Sequence, residues 1–470
     1  MTNFDLTRSE RVCILQKLIE RVDAFRDNPK GQRVSPSLDR DHILELVNHD
    51  FSMPLNFEDA VDRVVSGLEK YTVHTTHPKY FGLYNPRSNF AGILADFITA
   101  SYNPQMAAWS HAPFAAEAER HVIESLGRKF GYTTEIDGVF TTAGAEANHT
   151  AMLCALNKIF PAFAERGASQ LSGQPLVYCS SEAHHSVHKA ARACGLGSVA
   201  VRSVEVDDAL CMRVDILREM LENDRQNGGL PFMIIGTAGT TGAAAIDDLK
   251  EIGKLAKEHE IWFHADAAYG GAAILSDRLR PKLDGVQEAD SITFDAHKWM
   301  SVPMGTGMFI TRHPAILSST FSITTDYMPK EGKELAITDA FTHSLQWSRR
   351  FIGLKVYLSL LVYGWEGYRE VIDHQTAMGD LLREKLLADQ WVLTNRTAFP
   401  VVCFTDPAFQ NDPNFALTIA QRMVDSGNAW ISSYSILGRP SLRACITNYN
   451  TSPDHVMELV SELNQLRLTY

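Results

Sequence analysis

The seven cysteines, at 13, 154, 179, 194, 211, 403 and 445, contain no CxxC pair, and their number is odd. Reduced thiols fit this better than a disulfide framework or a zinc site. Long apolar runs are also missing. The most hydrophobic stretches, such as Tyr357 to Trp365, fall far short of the ~20 residues that cross a bilayer. Positive charge is in deficit: 44 Lys plus Arg face 56 Asp plus Glu, for a formal charge of -12. A chain this acidic lacks the footprint of a nucleic-acid binder and has no basic patch for anionic lipid. The opening residues, MTNFDLTRSERV, carry acids and no apolar core, so they do not read as a secretory signal. No internal repeat or low-complexity tract interrupts the chain. What is present is ordinary globular composition, 45% hydrophobic and 21% charged over 470 residues. That suffices for two or three domains. The expectation is a soluble cytoplasmic protein of enzyme size.

Residues 7 to 26 place Val12, Leu15, Leu18, Ile19 and Val22 at helical spacing, which predicts an amphipathic helix that needs a partner surface. The partner is either its own core or another subunit. From about 110 to 310 short apolar strands alternate with helices. Strands are expected at Gly138–Thr141, Leu176–Ser180, Ser198–Val204, Pro231–Gly236, Ile261–Ala265, Ser291–Phe294 and Thr306–Thr311. That alternation predicts an α/β fold with a mostly parallel sheet covered on both faces, its ligand at loops beyond the strands' carboxyl ends. After Trp347 long helices (Ser348–Tyr363, Glu366–Asp389) lead into four short strands and a last helix from Pro453, an α+β tail. Ser318 to Thr342 is polar and aperiodic, as a functional lid or a disordered segment would be.

Five stretches at expected strand ends carry chemistry. In SITFDAHKW, Lys298 follows a strand among apolar residues. Partial burial would make it a usable amine nucleophile, although a lone surface lysine is the blander reading. In WFHADAAYGG, Asp266 closes an apolar strand and needs a cationic partner such as a pyridinium nitrogen; a turn aspartate is the alternative. In TTAGAEAN, free N–H groups at a helix start suit a phosphate, or else Thr142 is a simple N-cap. In SEAHHSVHK, His184 could stack on a flat ring. A metal held by His184, His185 and His188 is the weaker reading, because the HExxH glutamate is missing. GTAGTTG, ending near Thr241, either lines a ring or forms a turn. Together they would supply a phosphate cradle, a stacking imidazole, a carboxylate and an amine.

In this combination the chain resembles the group II pyridoxal-phosphate-dependent amino-acid decarboxylases, from His77-Pro-Lys-Tyr-Phe81 to the last helix. HADAAYGG and SITFDAHKW are the most specific pieces, with 32 residues from Asp266 to Lys298. The resemblance implies the fold-type-I transferase architecture. It would comprise a helical dimerisation segment (1–75), a large cofactor domain with a seven-stranded sheet (76–345) and a small α+β domain (346–470). It implies pyridoxal 5'-phosphate and a homodimer with shared active sites. Lys298 resembles the Schiff-base lysine and Asp266 the partner of the pyridine nitrogen. Ala268 matches the small residue against the ring, and His184 the stacked imidazole. Ala143, Gly144 and Ala145 match the phosphate turn, with Ser291 and His297 as further phosphate contacts and Thr241 as a nearby hydroxyl. Arg443 resembles the arginine that receives the substrate carboxylate or shapes that region. Tyr327 resembles the loop tyrosine that protonates the α-carbon; relatives that make aldehydes carry phenylalanine there.

The implied activity is release of CO2 and an amine from an L-amino acid. Rivals are an aldehyde synthase or an aminotransferase or lyase on the same fold, and a catalytically silent scaffold. Tyr84, Asn85, Arg87, Trp109 and His111 are the expected side-chain selectors. Arg87 favours an acidic substrate, Tyr84 and Trp109 an aromatic one. Neither family specificity pattern is complete at Leu83, Gln105 and Ala107. Family serines are replaced by Ala143 and Ala145, and Asp295 stands where some relatives carry asparagine.

Overall fold

The computed structural model describes residues 4–29, 31–323 and 337–470. Seven strands form the main sheet: β1 (Asp137–Thr141), β2 (Pro175–Ser180), β3 (Val201–Val204), β4 (Leu230–Thr237), β5 (Trp262–Asp266), β6 (Ser291–Asp295) and β7 (Gly307–Thr311). Their spatial order is β1-β7-β6-β5-β4-β2-β3. Pairings from β3 to β6 are parallel, and β7 runs antiparallel to both of its neighbours. The chain therefore adopts the expected mostly parallel α/β sheet. The reversal at β7 has a local cause. The link from Asp295 to Gly307 contains no crossover helix, and a parallel return needs about a dozen residues or more, usually helical. β2, β5, β6 and β7 are buried along their whole length, because helices cover both faces. Two apolar clusters result, one on each face.

Two expected elements come out differently. Ser198–Ala200 form a 3-10 turn before β3. The helix expected from Ser348 starts only at Leu354, because Glu119 holds the preceding segment. The Glu119 carboxylate pairs with Arg349 Nη2 at 2.6 Å and accepts the Gly353 N–H at 2.9 Å. The long helical stretch Leu354–Ala388 is broken at Gly364, whose φ of 61° suits glycine best.

A second, antiparallel sheet contains β8 (Val392–Leu393), β9 (Val401–Thr405), β10 (Ser432–Ile436) and β11 (Arg439–Cys445), in the order β10-β11-β9-β8. The helices Phe415–Ser426 and Pro453–Leu468 pack on it to form a third core. Phe81 belongs to this core. Its N–H donates to the Trp430 carbonyl at 2.9 Å, and its carbonyl accepts from Cys445 N–H at 3.0 Å. The segment around Phe81 thus packs with the second sheet.

The first helix, Arg8–Asp27, carries a capping box between Thr7 and Glu10. It leans on the helix Phe57–Tyr71 through ion pairs, Arg21 to Glu69 and Lys17 to Glu58. Neither of these helices, nor Arg40–Val47 between them, contains a buried residue. The apolar stripe is left open, with Val12 54% and Ile19 58% exposed.

Candidate active site

β5 and β6 are neighbours with Asp266 opposite Thr293, so their carboxyl ends deliver Asp266 and Lys298 to one place. Lys298 lies one turn past β6. Its Nζ sits 3.1 Å from Asp295 Oδ2 and 6.0 Å from the centre of the Tyr84 ring, with the side chain 23% exposed. A partly shielded amine with an open approach is what a carbonyl-capturing lysine needs. Asp295 itself is buried, and its Oδ1 has no hydrogen-bond partner. His184 stands at the open mouth, where its Nδ1 accepts the Ser186 N–H at 3.2 Å. Partial desolvation pushes its pKa below the usual histidine value, opposed by the nearby Asp266 charge and assisted by Lys298. A neutral imidazole facing this site follows.

The helix Gly144–Ile159 starts at Ala143, which gives no side-chain cap. Thr142 turns away, donating through its N–H and hydroxyl to Glu146 at 2.8 and 2.7 Å. The N–H groups of Gly144 and Ala145 are therefore available to an anion, while that of Glu146 already meets the Ala143 carbonyl at 3.0 Å. Gly144 is obligatory here for space. A Cβ would lie 2.9 Å from Asp295 Oδ2, 3.2 Å from Ala268 Cβ and 3.3 Å from Thr293 Cγ2. Helix start and strand ends can approach this closely only because residues 144 and 268 are small.

Behind Asp266 lies a buried polar network. Asn148, one turn into the helix, donates to Asp266 Oδ2 at 2.8 Å and to Ser186 Oγ at 2.9 Å. Its Oδ1 accepts from Thr293 Oγ1 at 2.7 Å and meets His264 Nε2 at 3.0 Å. Asp266 Oδ1 accepts the Ala268 N–H at 3.2 Å. Burial holds the His264 pKa down at about 4, so the ring is neutral.

Several expected site residues are engaged elsewhere. Ser291 begins β6, and at ~3.3 Å per residue lies more than 10 Å of strand away from the Asp295 end. Its hydroxyl bonds Trp262 Nε1 at 2.9 Å and His264 Nδ1 at 2.8 Å, so it is part of the floor and makes no phosphate contact. Arg87 is likewise engaged by other groups. It is buried, pairs with Asp27 and donates to the Arg26 carbonyl at 2.6 Å and to Tyr449 Oη at 3.2 Å. Its charge fastens the end of the first helix. Arg443 donates to the carbonyls of Gly242, Gly82 and Thr241 at 2.8, 3.1 and 3.0 Å, which leaves it a shaping role. Thr241 thereby contributes its carbonyl, which also accepts from Tyr84 Oη at 3.3 Å.

Asn85 accepts from Tyr80 Oη at 2.8 Å. His297 Nδ1 lies 3.1 Å from the Thr306 carbonyl, and its Nε2 is 3.8 Å from Asp295 Oδ2, close to the cradle. Trp109 and His111 form a short 3-10 turn, where Trp109 Nε1 donates to Glu117 at 2.9 Å. Tyr327 falls outside the described residues. Tyr84 stays at the site, stacked on Tyr269 at 3.9 Å, and Tyr269 stacks in turn on Trp299 at 5.1 Å.

Sequence reasoning missed Asn148, Thr293 and Lys355. Lys355 is buried and donates to the carbonyl of Met304 at 2.8 Å, beside the cradle turn. The available signal for Asn148 was its place one helical turn after Gly144 in TTAGAEAN, the spacing that returns a side chain to the same face.

An amine, a buried carboxylate, an imidazole and an uncapped helix start converge at the strand ends of an α/β sheet. They define an enzyme site for a flat, phosphorylated aldehyde cofactor. A family model described as "Pyridoxal-dependent decarboxylase conserved domain" matches residues 42–406. The chain belongs to that family: it is a pyridoxal-phosphate-dependent carboxy-lyase. It is 26% identical to an aromatic-L-amino-acid decarboxylase of Bacillus atrophaeus, over 96% of this chain and 93% of that protein. It is also 26% identical to a 4-hydroxyphenylacetaldehyde synthase of Rhodiola rosea, over 98% of this chain and 96% of the relative. Mouse CSAD superposes with a TM-score of 0.90 at 25% identity, covering 98% of this chain and 99% of that one. The residues fit the cofactor. The cradle admits no side chain at 144, Ala268 leaves room beside it, and Lys298 is both held and reachable.

Proposed function

We propose that this enzyme decarboxylates L-amino acids with aromatic side chains, releasing CO2 and the corresponding amine. The observation that carries this is the engagement of both candidate arginines. Arg87 is tied to Asp27 and Arg443 to three carbonyls, while Tyr84 and its stacked partners remain at the site. An acidic substrate side chain would meet neither guanidinium free. The Bacillus atrophaeus relative, by its printed name, acts on aromatic L-amino acids.

Pyridoxal phosphate, when bound, supplies the conjugated ring that accepts the electron pair left behind by departing CO2. In this reading Lys298 would hold the cofactor through its amine. Asp266 would hold the ring nitrogen, and Ala268 and His184 would enclose the ring. The turn at Ala143, Gly144 and Ala145, with His297 beside it, holds the phosphate. Tyr327 delivers a proton to the α-carbon, and its identity as tyrosine favours the amine over the aldehyde. The open stripe on the first helix supports a homodimer, and seven unpaired cysteines support a cytoplasmic setting.

The test is a panel of aromatic, acidic and basic L-amino acids scored for CO2, amine, ammonia and peroxide, with and without a keto acid. Aromatic substrates should exceed acidic ones in kcat/KM by ~100-fold, the size expected when a buried site lacks the polar partner a substrate requires. Faster turnover of aspartate or glutamate overturns the aromatic assignment. Stoichiometric ammonia and peroxide would replace the amine product by an aldehyde. Keto-acid dependence would mark an aminotransferase.

A further inference from the structure

Among the described residues Asn148 is the one side chain that joins Asp266 to the rest of the floor, and its neighbours determine which way it points. Its two N–H groups meet acceptors, Asp266 Oδ2 at 2.8 Å and Ser186 Oγ at 2.9 Å. A carboxylate only accepts, so the amide cannot be turned over without setting oxygen against oxygen. Oδ1 then faces Thr293 Oγ1 at 2.7 Å and His264 Nε2 at 3.0 Å, and it needs donors there. That assigns the Nε2–H tautomer to the neutral His264. Its Nδ1 becomes an acceptor and requires the Ser291 hydroxyl hydrogen, at 2.8 Å. Ser291 Oγ in turn accepts from the indole of Trp262 at 2.9 Å, and an indole N–H can only donate.

The chain Trp262 → Ser291 → His264 → Asn148 → Asp266 thus runs in one direction. It starts at a group that cannot accept and ends at one that cannot donate. None of the atoms in it is left without a partner, although other buried polar atoms nearby, such as Asp295 Oδ1 and Ser301 Oγ, are.

We propose that Asn148 is a positioning residue, which with His264, Ser291 and Trp262 keeps Asp266 supplied with donors only and fixes its second oxygen in place for the cofactor. The assignment rests on the reading of Asp266 as the residue that faces the cofactor ring. It goes beyond that reading by naming what orients the carboxylate and in which tautomer. The bonds are cooperative in a buried setting, so a break at the far end should be felt at Asp266.

The test uses the full-length holoenzyme and compares Asn148→Asp with Ser291→Ala. Asn148→Asp keeps the shape but sets an acceptor against Asp266. Ser291→Ala removes the donor that fixes the His264 tautomer, three hydrogen bonds away from Asp266. Readouts are the dissociation constant for pyridoxal 5'-phosphate, the pH profile of the bound cofactor's absorbance, kcat and KM separately, and melting temperature. Asn148→Asp should weaken cofactor binding tenfold or more and lower kcat about as much, with KM within twofold. Ser291→Ala should weaken binding about threefold and move the absorbance profile the same way. If Asn148→Asp does not fold, Ser291→Ala decides alone. A lower melting temperature with unchanged cofactor constant and absorbance profile in the folded variants would mean a purely structural role and overturn the proposal. Should Asp266→Asn also leave both readouts unchanged, the assignment of Asp266 fails instead, which separates the two failures.

Discussion

The floor of the site and the three N-terminal helices solve opposite problems. In the floor, Asp266, Asn148, His264, Thr293 and Ser291 are buried together and answer one another's hydrogen bonds. In the helices Arg8–Asp27, Arg40–Val47 and Phe57–Tyr71 nothing is buried, and they hold to each other by charged side chains at the surface. Exposed ion pairs of that kind contribute little, ~0–1 kcal/mol each. A single chain therefore completes its chemical floor but not its N-terminal region. The open apolar stripe is the surface on which the proposed homodimer can be tested.

The largest expected effect separates the two regions outright. Lys298→Ala should lower amine formation by on the order of 10³-fold or more, as removal of a covalent nucleophile does, without changing the oligomeric state. Val12→Asp with Ile19→Asp should do the reverse at the level of assembly. Sedimentation should show the dimer dissociating at protein concentrations where the parent stays paired. A double variant that stays dimeric would remove the assembly role of this face. Loss of assembly on Lys298→Ala would break the division between floor and helices.

Packing offers a smaller contrast. Ile292, fully buried in β6, should cost ~2–5 kcal/mol when cut to alanine, because the surrounding sheet and helices cannot close the cavity. Leu15, 38% exposed on the first helix, should cost under ~0.5 kcal/mol by the same change in a chain held monomeric. Denaturant midpoints compare the two directly. Equal losses would show that the first helix is packed more tightly than its exposure indicates.

The sheet was legible because β2, β5, β6 and β7 are buried on both faces and so appear as short apolar runs. Lys298 and Asp266 were legible because each directly follows or ends such a run. Ser291 was misplaced for a geometric reason. It shares a motif with Lys298, but a strand is extended, so closeness in sequence became distance in space. The engagement of Arg87 was not legible because its partner, Asp27, lies 60 residues earlier and no local pattern announces an ion pair. The late start of the helix at Leu354 had the same origin: Glu119, far upstream, holds Arg349 and the Gly353 N–H. Local periodicity reveals what a segment buries, while such long-range polar contacts decide where it ends.

The smallest effect concerns pH and again sets floor against helices. His264 is buried in the floor and His74 stacks on Phe25 of the first helix at 4.0 Å; burial lowers both to about 4, from an ordinary 6.5. A histidine whose folded pKa is depressed binds a proton more readily once unfolded. Its contribution is therefore complete above pH 6.5 and is lost as pH falls through the window down to about 4. Replacing either by glutamine should flatten the dependence of melting temperature on pH across that window. The slope should not vanish, because His77 and His343 are also lowered to about 4. The two variants should differ in what they disturb. His264 bonds to Asn148 and Ser291, so His264→Gln should also shift the absorbance of the bound cofactor. Neither ring nitrogen of His74 has a partner, so His74→Gln should leave that absorbance alone and change only how readily protease cuts the first helix. A cofactor shift from His74→Gln would show that the N-terminal helices and the floor are coupled, which is the outcome their separate packing argues against.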